Sequence, residues 1–427
     1  MSEAENLPTP LLIPAGGTPD LIVGESELAQ AIKEMKNLTG PIAIDAERAS
    51  GYRYSARAYL IQIKRERQIY LIDPIPFSNP DTDKASTLIS ELNQLIQNEE
   101  VIIHAASQDL ACLRDFGLFP KHLFDTELGA RLAGLPKVGL GPLCEHFFNI
   151  SLAKEHSAVD WSIRPLHDDW LTYAALDVEL LIEIREQLIA SLSASGKLEW
   201  AYAEFQNLLD APPAPPREDP WRRTSGMHKV RKREQLAIVR ELWGVRDQIA
   251  ASQDIAPGRL LSDNAITELA VADPKLATSV KGLSKILRPI GMRSRWLDNA
   301  SAWINAIAKA QQAELPLMRL NGDGMPPVKQ WREKFPERYA PLTHAKAAVN
   351  QRALELNLPA ENLITPDFVR RICWDQTAPD LKTIESKLAK LGARPWQINE
   401  VAALLAAALT QSEPLVTASE EPAESEQ

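Results

Sequence analysis

Two acids stand one residue apart at the end of an apolar run. Pro41-Ile42-Ala43-Ile44 leads directly into Asp45-Ala46-Glu47. Side chains alternate along a strand, so Asp45 and Glu47 fall on one face. Paired carboxylates at the end of a buried strand are costly unless something positive binds there, and a metal ion meets that need. Taken alone, the pair reads equally as two surface acids. A third acid, Asp109, lies in His104-Ala105-Ala106-Ser107-Gln108-Asp109-Leu110, behind the apolar Val101-Ile102-Ile103. The spacing predicts a helix over 107–115, with Asp109 in its first turn, where the helix dipole favours an anion. Simple helix capping explains that residue as well. The fourth acid is in Tyr173-Ala174-Ala175-Leu176-Asp177-Val178. Tyr173 and Asp177 are four apart and share a helix face among apolar neighbours. A buried Tyr is usually a satisfied core residue, but a buried Asp beside it is harder to explain without a partner.

The elements that must position these groups follow from hydrophobic periodicity. Glu25 to Met35 reads as a helix with Leu28, Ala31, Ile32 and Met35 on one side. Strands are expected at 41–45, 59–63 and 69–72, a helix at 86–98, and a strand at 101–103, followed by helices to about residue 208. That order predicts an α/β domain, a mixed sheet flanked by helices. Five prolines between Ala211 and Pro220 mark a linker. Beyond it the pattern is helical and repeats. Ile255 to Ser262 resembles Leu358 to Thr365 at an offset of 103 residues, each preceded by an amphipathic helix (236–250 and 344–356) and followed by another after a Ser or Thr cap. Each copy ends in a helix with Trp and Ala, near 297–312 and 396–410. The expected boundaries are a flexible leader at 1–20, an α/β domain at 21–210, a linker at 211–228, helical domains at 229–313 and 314–412, and a disordered acidic tail at 413–427.

No stretch approaches the roughly 20 apolar residues of a membrane span, and the acidic start lacks the features of a secretory signal. A cytoplasmic protein is expected, with a monomer as its state. Cys112, Cys144 and Cys373 do not pair at zinc-ligand spacing. His104, His122, His146, His156 and His167 are not spaced as a metal cluster and are expected to be structural or solvent-facing. Any metal must therefore be held by oxygen, which points to Mg²⁺ or Mn²⁺. The net charge of −10 hides an asymmetry: residues 217–313 carry 17 Lys and Arg against 10 Asp and Glu. A basic segment in an acidic chain is a footprint for nucleic acid.

Together Asp45, Glu47, Asp109, Asp177 and Tyr173, in this order and spacing, resemble the DEDD exonuclease superfamily in its Tyr-containing branch, to which ribonuclease D belongs. Asp160-Trp161-Ser162-Ile163-Arg164-Pro165-Leu166 strengthens the resemblance, which covers roughly residues 21–210. It departs from the family only in having Ala46 where Thr is common. The resemblance implies a ribonuclease H-like 3′→5′ exonuclease domain that hydrolyses phosphodiesters with two divalent ions. Asp45 would bridge them, Glu47 and Asp177 would complete one site, and Asp109 would support the other. Tyr173 would orient the attacking water, its ordinary pKa near 10 making it a poor base.

Residues 229–313 resemble an HRDC domain, and 325–412 look like a second, divergent copy, expected to brace the first against the α/β domain. Such modules assist nucleic-acid binding. Candidate phosphate contacts are Lys154, Arg164, Arg222, Arg223, Lys229, Arg231, Lys232, Arg233, Arg293 and Arg295, and Trp161 could stack or pack. The expected partner is a single-stranded RNA 3′ end, such as that of a tRNA precursor. The alternatives are a DNA exonuclease acting in repair and an inert nucleic-acid scaffold, although no acidic ligand is missing. The absence of a Gly-x-x-x-x-Gly-Lys-Ser/Thr loop excludes a helicase motor of that type.

Overall fold

The computed structural model describes residues 7–415 except 79–82, 153–158, 214, 274, 293 and 319–323. Eight strands occur among them: β1 Thr9–Leu11, β2 Leu21–Ile22, β3 Ile42–Arg48, β4 Ala58–Arg65, β5 Gln68–Ile72, β6 Glu100–Ile103, β7 His122–Asp125 and β8 Ile150–Leu152. Six form one sheet in the order β2-β5-β4-β3-β6-β7. β3 pairs antiparallel with β4 and parallel with β6, so the sheet is mixed. Every residue of β4 is buried, including Lys64 and Arg65. Their charges reach Glu183 and Glu99 at the strand's end, which lets a strand covered on both faces carry two cations.

Helix Glu25–Asn37 packs over the face that carries Ile42, Ile44, Ile61 and Ile63, while helix Leu181–Ala194 lies on the other, where its Glu183 meets Lys64. The other face holds a smaller cluster of Leu60, Leu71, Trp161, Leu171, Ala174 and Ala175 under the helix Asp168–Glu179. That helix carries Tyr173 and Asp177 over the face on which Asp45 and Glu47 stand.

The structure corrects the expected boundaries at three places. Residues 9–20 are not a loose leader: β1 pairs in parallel with β8, and Thr18 meets Thr172 hydroxyl to hydroxyl at 2.7 Å. Residues 220–228 are not linker, because the apolar Trp221 is buried in the core of the helical domain that follows. At the far end, Leu415 N–H donates to Thr343 at 2.9 Å; the rest of the expected acidic tail, 416–427, lies outside the described residues.

The two helical domains match element by element. Helices Arg233–Gln253, Pro257–Leu260 and Asp263–Val271 are answered by Pro336–Glu355, Ala360–Leu363 and Pro366–Trp374, each start displaced by 103 residues. Ser262 caps its helix by accepting from Ala265 N–H, whereas the expected cap Thr365 makes no such bond. The first domain keeps its own core around Trp221, Trp296 and Trp303. The second shares a core with the α/β domain. Trp396 stacks on Trp200 at 4.6 Å, and buried Glu204 accepts from Arg394 Nε at 2.6 Å and Trp396 Nε1 at 2.9 Å. The second copy therefore packs directly on the α/β domain.

Candidate active site

Strand alternation places Asp45 and Glu47 side by side, and the helix Asp168–Glu179 brings Asp177 to them. Carboxylate oxygens of Asp45, Glu47 and Asp177 lie within 4.8 Å of one another. Asp177 is also hydrogen-bonded to Tyr173, one helical turn back. Asp109 stands outside this trio, close enough that Asp45's charge acts on it.

Asp109 is the N-cap of the helix Leu110–Phe116, preceded by a 3₁₀ turn over Ala106–Gln108 in place of the expected helix start. Its side chain makes no capping hydrogen bond, so capping does not explain it. The loop ahead of it is fixed by Asp125, at the end of β7. The Asp125 carboxylate accepts from Ala105 N–H at 3.2 Å, Ala106 N–H at 2.9 Å and Glu127 N–H at 2.9 Å. Ala105 takes a left-handed backbone, φ 58°, to make that turn.

The electrostatics show what the cluster lacks. Burial, then mutual repulsion, pushes Glu47 up to about 10 and Asp109 up to about 8. Burial raises Asp45 to about 6 and Asp177 well above the carboxylate range. Tyr173 is raised by burial and by Asp177, Glu47 and Asp45, which removes it further from service as a base. Four carboxylates that cannot all ionise together, with oxygen donors only, fit hard divalent cations. Arg48 is the cation that counters them within the chain, 3.5 Å from Asp109.

Sequence reasoning missed three contributors. Gln62 lies directly across from Asp45 in the β3–β4 register, fully buried with both amide atoms unpartnered among the described residues. Asp125 and Arg48 are the others. None carries a local motif; each acquires its place through pairing or packing with distant residues.

The first helical domain reaches the segment that leaves β3. Arg259 Nε donates to Gly51 C=O at 2.6 Å and its guanidinium lies 4.0 Å from the Tyr52 ring centroid. Ala256 N–H donates to Tyr52 C=O at 3.0 Å. Asp254, in a left-handed C-cap, accepts from Ser55 N–H at 2.8 Å and Tyr59 Oη at 3.3 Å. Tyr54 Oη donates to Asp247 at 3.1 Å.

The candidate phosphate contacts divide. Arg164 is engaged elsewhere: it forms a two-pronged pair with Asp73 (2.6 and 2.8 Å) and donates to the carbonyls of Trp161 and Tyr59. These bonds occupy the guanidinium in holding loop to sheet, which corrects its assignment to phosphate. Trp161 is fully buried and packs edge-on against Trp170 rather than stacking on a base. Arg222 is paired with Asp219 and lies over Trp221, Lys229 is paired with Glu268, and Arg233 donates to the carbonyls of Leu315 and Pro316. Arg223, Arg231, Lys232 and Arg295 are exposed. Lys154, Arg293 and His156 lie outside the described residues. His104 meets the Thr126 hydroxyl at 2.9 Å, and all three cysteines are buried and unbridged.

Comparison with known proteins agrees with this architecture. A family profile described as "3'-5' exonuclease" matches residues 20–193, the HRDC domain profile matches 235–295, and one described as "3' to 5' exonuclease C-terminal domain" matches 324–409. The second helical domain thus falls to a profile of its own rather than to HRDC. The fold and these profiles define a 3′-5′ exonuclease domain followed by an HRDC domain, with an acidic site of oxygen donors that could hold a metal ion. A solved protein from Bifidobacterium adolescentis is 36% identical, with 94% of this chain and 99% of that one aligned at a TM-score of 0.82. Ribonuclease D of Acidiphilium cryptum is 35% identical over 53% of this chain and 59% of its own length. Exosome complex exonuclease RRP6 of Saccharomyces cerevisiae is 29% identical over 67% of this chain and 39% of its own length. Over its exonuclease and HRDC domains the chain is similar to proteins of the ribonuclease D family. The aligned part amounts to less than two thirds of the length of either named relative. No helix among the described residues is long and apolar enough to cross a membrane.

Proposed function

We propose that this protein is a 3′→5′ exoribonuclease that removes nucleotides one at a time from single-stranded RNA 3′ ends, such as those of tRNA precursors, in the cytoplasm. The observation that carries the reading is the convergence of Asp45, Glu47 and Asp177 within 4.8 Å, beside Tyr173. Asp45, Glu47, Asp109 and Asp177 would hold two divalent ions, Mg²⁺ or Mn²⁺, which when bound supply charge neutralisation and activation of water. The chain's own part is positioning. Asp177 accepts the Tyr173 hydrogen bond, which holds the phenol beside the acids, where it would orient an attacking water. The raised pKa of Tyr173 keeps it protonated, so it orients that water rather than deprotonating it. The exposed cations Arg223, Arg231, Lys232 and Arg295 would neutralise phosphates without reading sequence.

The test is degradation of a tRNA precursor with a 3′ overhang and of a matching DNA, with Mg²⁺ or Mn²⁺ and with EDTA, alongside Asp45→Ala and Asp177→Asn. Stepwise loss from the RNA 3′ end, dependent on metal and absent in both variants, is the expected result. Preferential loss of DNA overturns the substrate assignment. Folded, metal-loaded protein inactive on both overturns the exonuclease reading.

A further inference from the structure

The long helix of the second helical domain, Pro336–Glu355, has one face that opens on a cleft. Tyr339, Leu342, Thr343 and Lys346 stand on that face at helical spacing. With Lys329 and Arg332 from the turns ahead of the helix they line a cavity of about 500 Å³, and no acid lines it among the described residues. Lys329 and Lys346 are exposed and form no ion pair among those residues. Three cations thus gather on one wall in a chain whose net charge is −10, which marks the cleft as a place for an anion. The chain itself arrives there. Beyond the last helix, Pro395–Leu409, His344 Nε2 donates to Glu413 C=O at 3.0 Å and Leu415 N–H donates to Thr343 Oγ1 at 2.9 Å. Leu415 is itself part of the cleft wall. Residues 416–427, which follow it, lie outside the described residues; they carry Glu420, Glu421, Glu424 and Glu426 and no Lys or Arg.

The first helical domain supplies a precedent. There the chain leaving the last helix, Ala300–Ala310, turns back along the first helix, Arg233–Gln253. Arg240 Nη2 donates to Glu314 C=O at 3.1 Å, Arg233 donates to the carbonyls of Leu315 and Pro316 at 2.6 and 3.0 Å, and Leu315 packs on the domain's core. Arg240 and Thr343 correspond under the 103-residue offset, so the two straps meet their helices on the same turn. Both run toward the helix N-terminus, from Arg240 to Arg233 in the first copy and from His344 to Thr343 in the second. Continued in that direction, the chain past Leu415 follows the cleft toward Tyr339 and the cations ahead of the helix. The five residues from Leu415 to Glu420 span up to roughly 17 Å when extended, against roughly 6 Å of helix rise from Thr343 to Tyr339. One turn behind, Trp243 of the first helix is replaced by Lys346 in the second, so the equivalent face has exchanged a ring for a charge.

We propose that residues 416–427 dock in this cleft of their own chain, their four glutamates answering Lys329, Arg332 and Lys346, and so keep other polyanions off this face. The inference does not depend on the exonuclease reading. A segment tethered beside its cleft meets it at an effective concentration on the order of 1 mM. A Kd of about 0.1 mM for the same segment in trans therefore corresponds to a cleft about nine-tenths filled in cis.

The experiment compares the full-length protein with a chain ending at Leu415, and the probe is a fluorescein-labelled peptide of residues 416–427 followed by anisotropy. The expected result is that the shortened chain binds the peptide with a Kd of about 0.1 mM or tighter, with affinity falling as salt rises. The full-length protein binds it about tenfold more weakly, because its own segment competes. Lys329→Glu with Lys346→Glu in the shortened chain abolishes binding. A full-length variant with Glu420→Gln, Glu421→Gln, Glu424→Gln and Glu426→Gln, which loses the charges but no part of the chain, takes up the peptide as the shortened chain does. Equal binding by wild type and by either altered chain overturns the proposal, as does the absence of binding to both altered chains. RNA is titrated in parallel. Uptake of RNA by the shortened chain that the two Lys→Glu changes remove, with no uptake of peptide, also overturns the proposal and gives the cleft to nucleic acid.

Discussion

Glu47→Gln in the metal-free protein sets stability against function. Glu47 is raised from 4.5 to about 10 by burial and by Asp45, Asp177 and Asp109. Between those values the folded chain holds a proton that the unfolded chain releases, so stability falls as pH rises. The contribution is fully present below about 4.5 and is lost progressively toward about 10. From 4.5 to pH 7, at 1.36 kcal/mol per unit, the loss reaches about 3 kcal/mol as an upper limit. Gln has no proton to hold and keeps the shape. The metal-free variant should therefore melt several degrees above wild type at pH 7, since about 1 kcal/mol moves Tm by 2–4 °C in a domain of this size. The two should nearly coincide at pH 5. Added Mn²⁺ should reverse the order, stabilising wild type far more than the variant. Thermal melts in EDTA and in Mn²⁺ across pH 5–8 make the check. A metal-free variant no more stable than wild type at pH 7 would refute the raised Glu47 carboxyl itself.

Asp254→Ala removes both bonds that the HRDC domain makes to Ser55 and Tyr59. It should speed amide exchange across residues 50–57 and lower kcat about tenfold, with RNA affinity changed far less; unchanged exchange would show that the contact does not order the segment. Arg164→Ala leaves Asp73 buried without its partner and should cost about 3–5 kcal/mol by denaturant titration. A stable variant with weakened RNA binding would return Arg164 to the phosphate contacts. Replacing Arg223, Arg231, Lys232 and Arg295 together by Ala should flatten the dependence of log affinity on log salt by up to about one unit per lost phosphate contact. An unchanged slope in anisotropy titrations would move the binding face elsewhere.

The parts legible in the sequence are those fixed by local periodicity. The alternation that sets Asp45 beside Glu47 and the helical spacing that sets Tyr173 beside Asp177 are properties of short segments. So is the repeat near residues 255 and 358. The short strands β1, β2, β7 and β8 lack an uninterrupted β-branched run like the Val101-Ile102-Ile103 of β6, so two to four residues carry too little pattern to distinguish strand from loop. Arg164 was misread for a different reason. An arginine looks the same in sequence whether it meets a phosphate or an aspartate 91 residues away. Arg48, Asp125 and Gln62 depend on an ion pair with Asp109, a loop clasp and cross-strand pairing, none of which exists before the chain folds.

The HRDC domain has a second role open to it besides holding RNA. Its own core is separate from that of the α/β domain, so the two are joined through polar contacts rather than a common apolar interior. Those contacts gather on Gly51, Tyr52, Tyr54 and Ser55, immediately downstream of Arg48. They hold the segment that leaves β3 just after Arg48, which itself pairs with Asp109 at 3.5 Å. Each hydrogen bond there contributes only about 0.5–1.5 kcal/mol. Converging on one short segment, they suffice to favour a single conformation at the edge of the site. An HRDC domain that orders this segment should influence rate as well as affinity, and rate is the quantity by which its two roles can be separated.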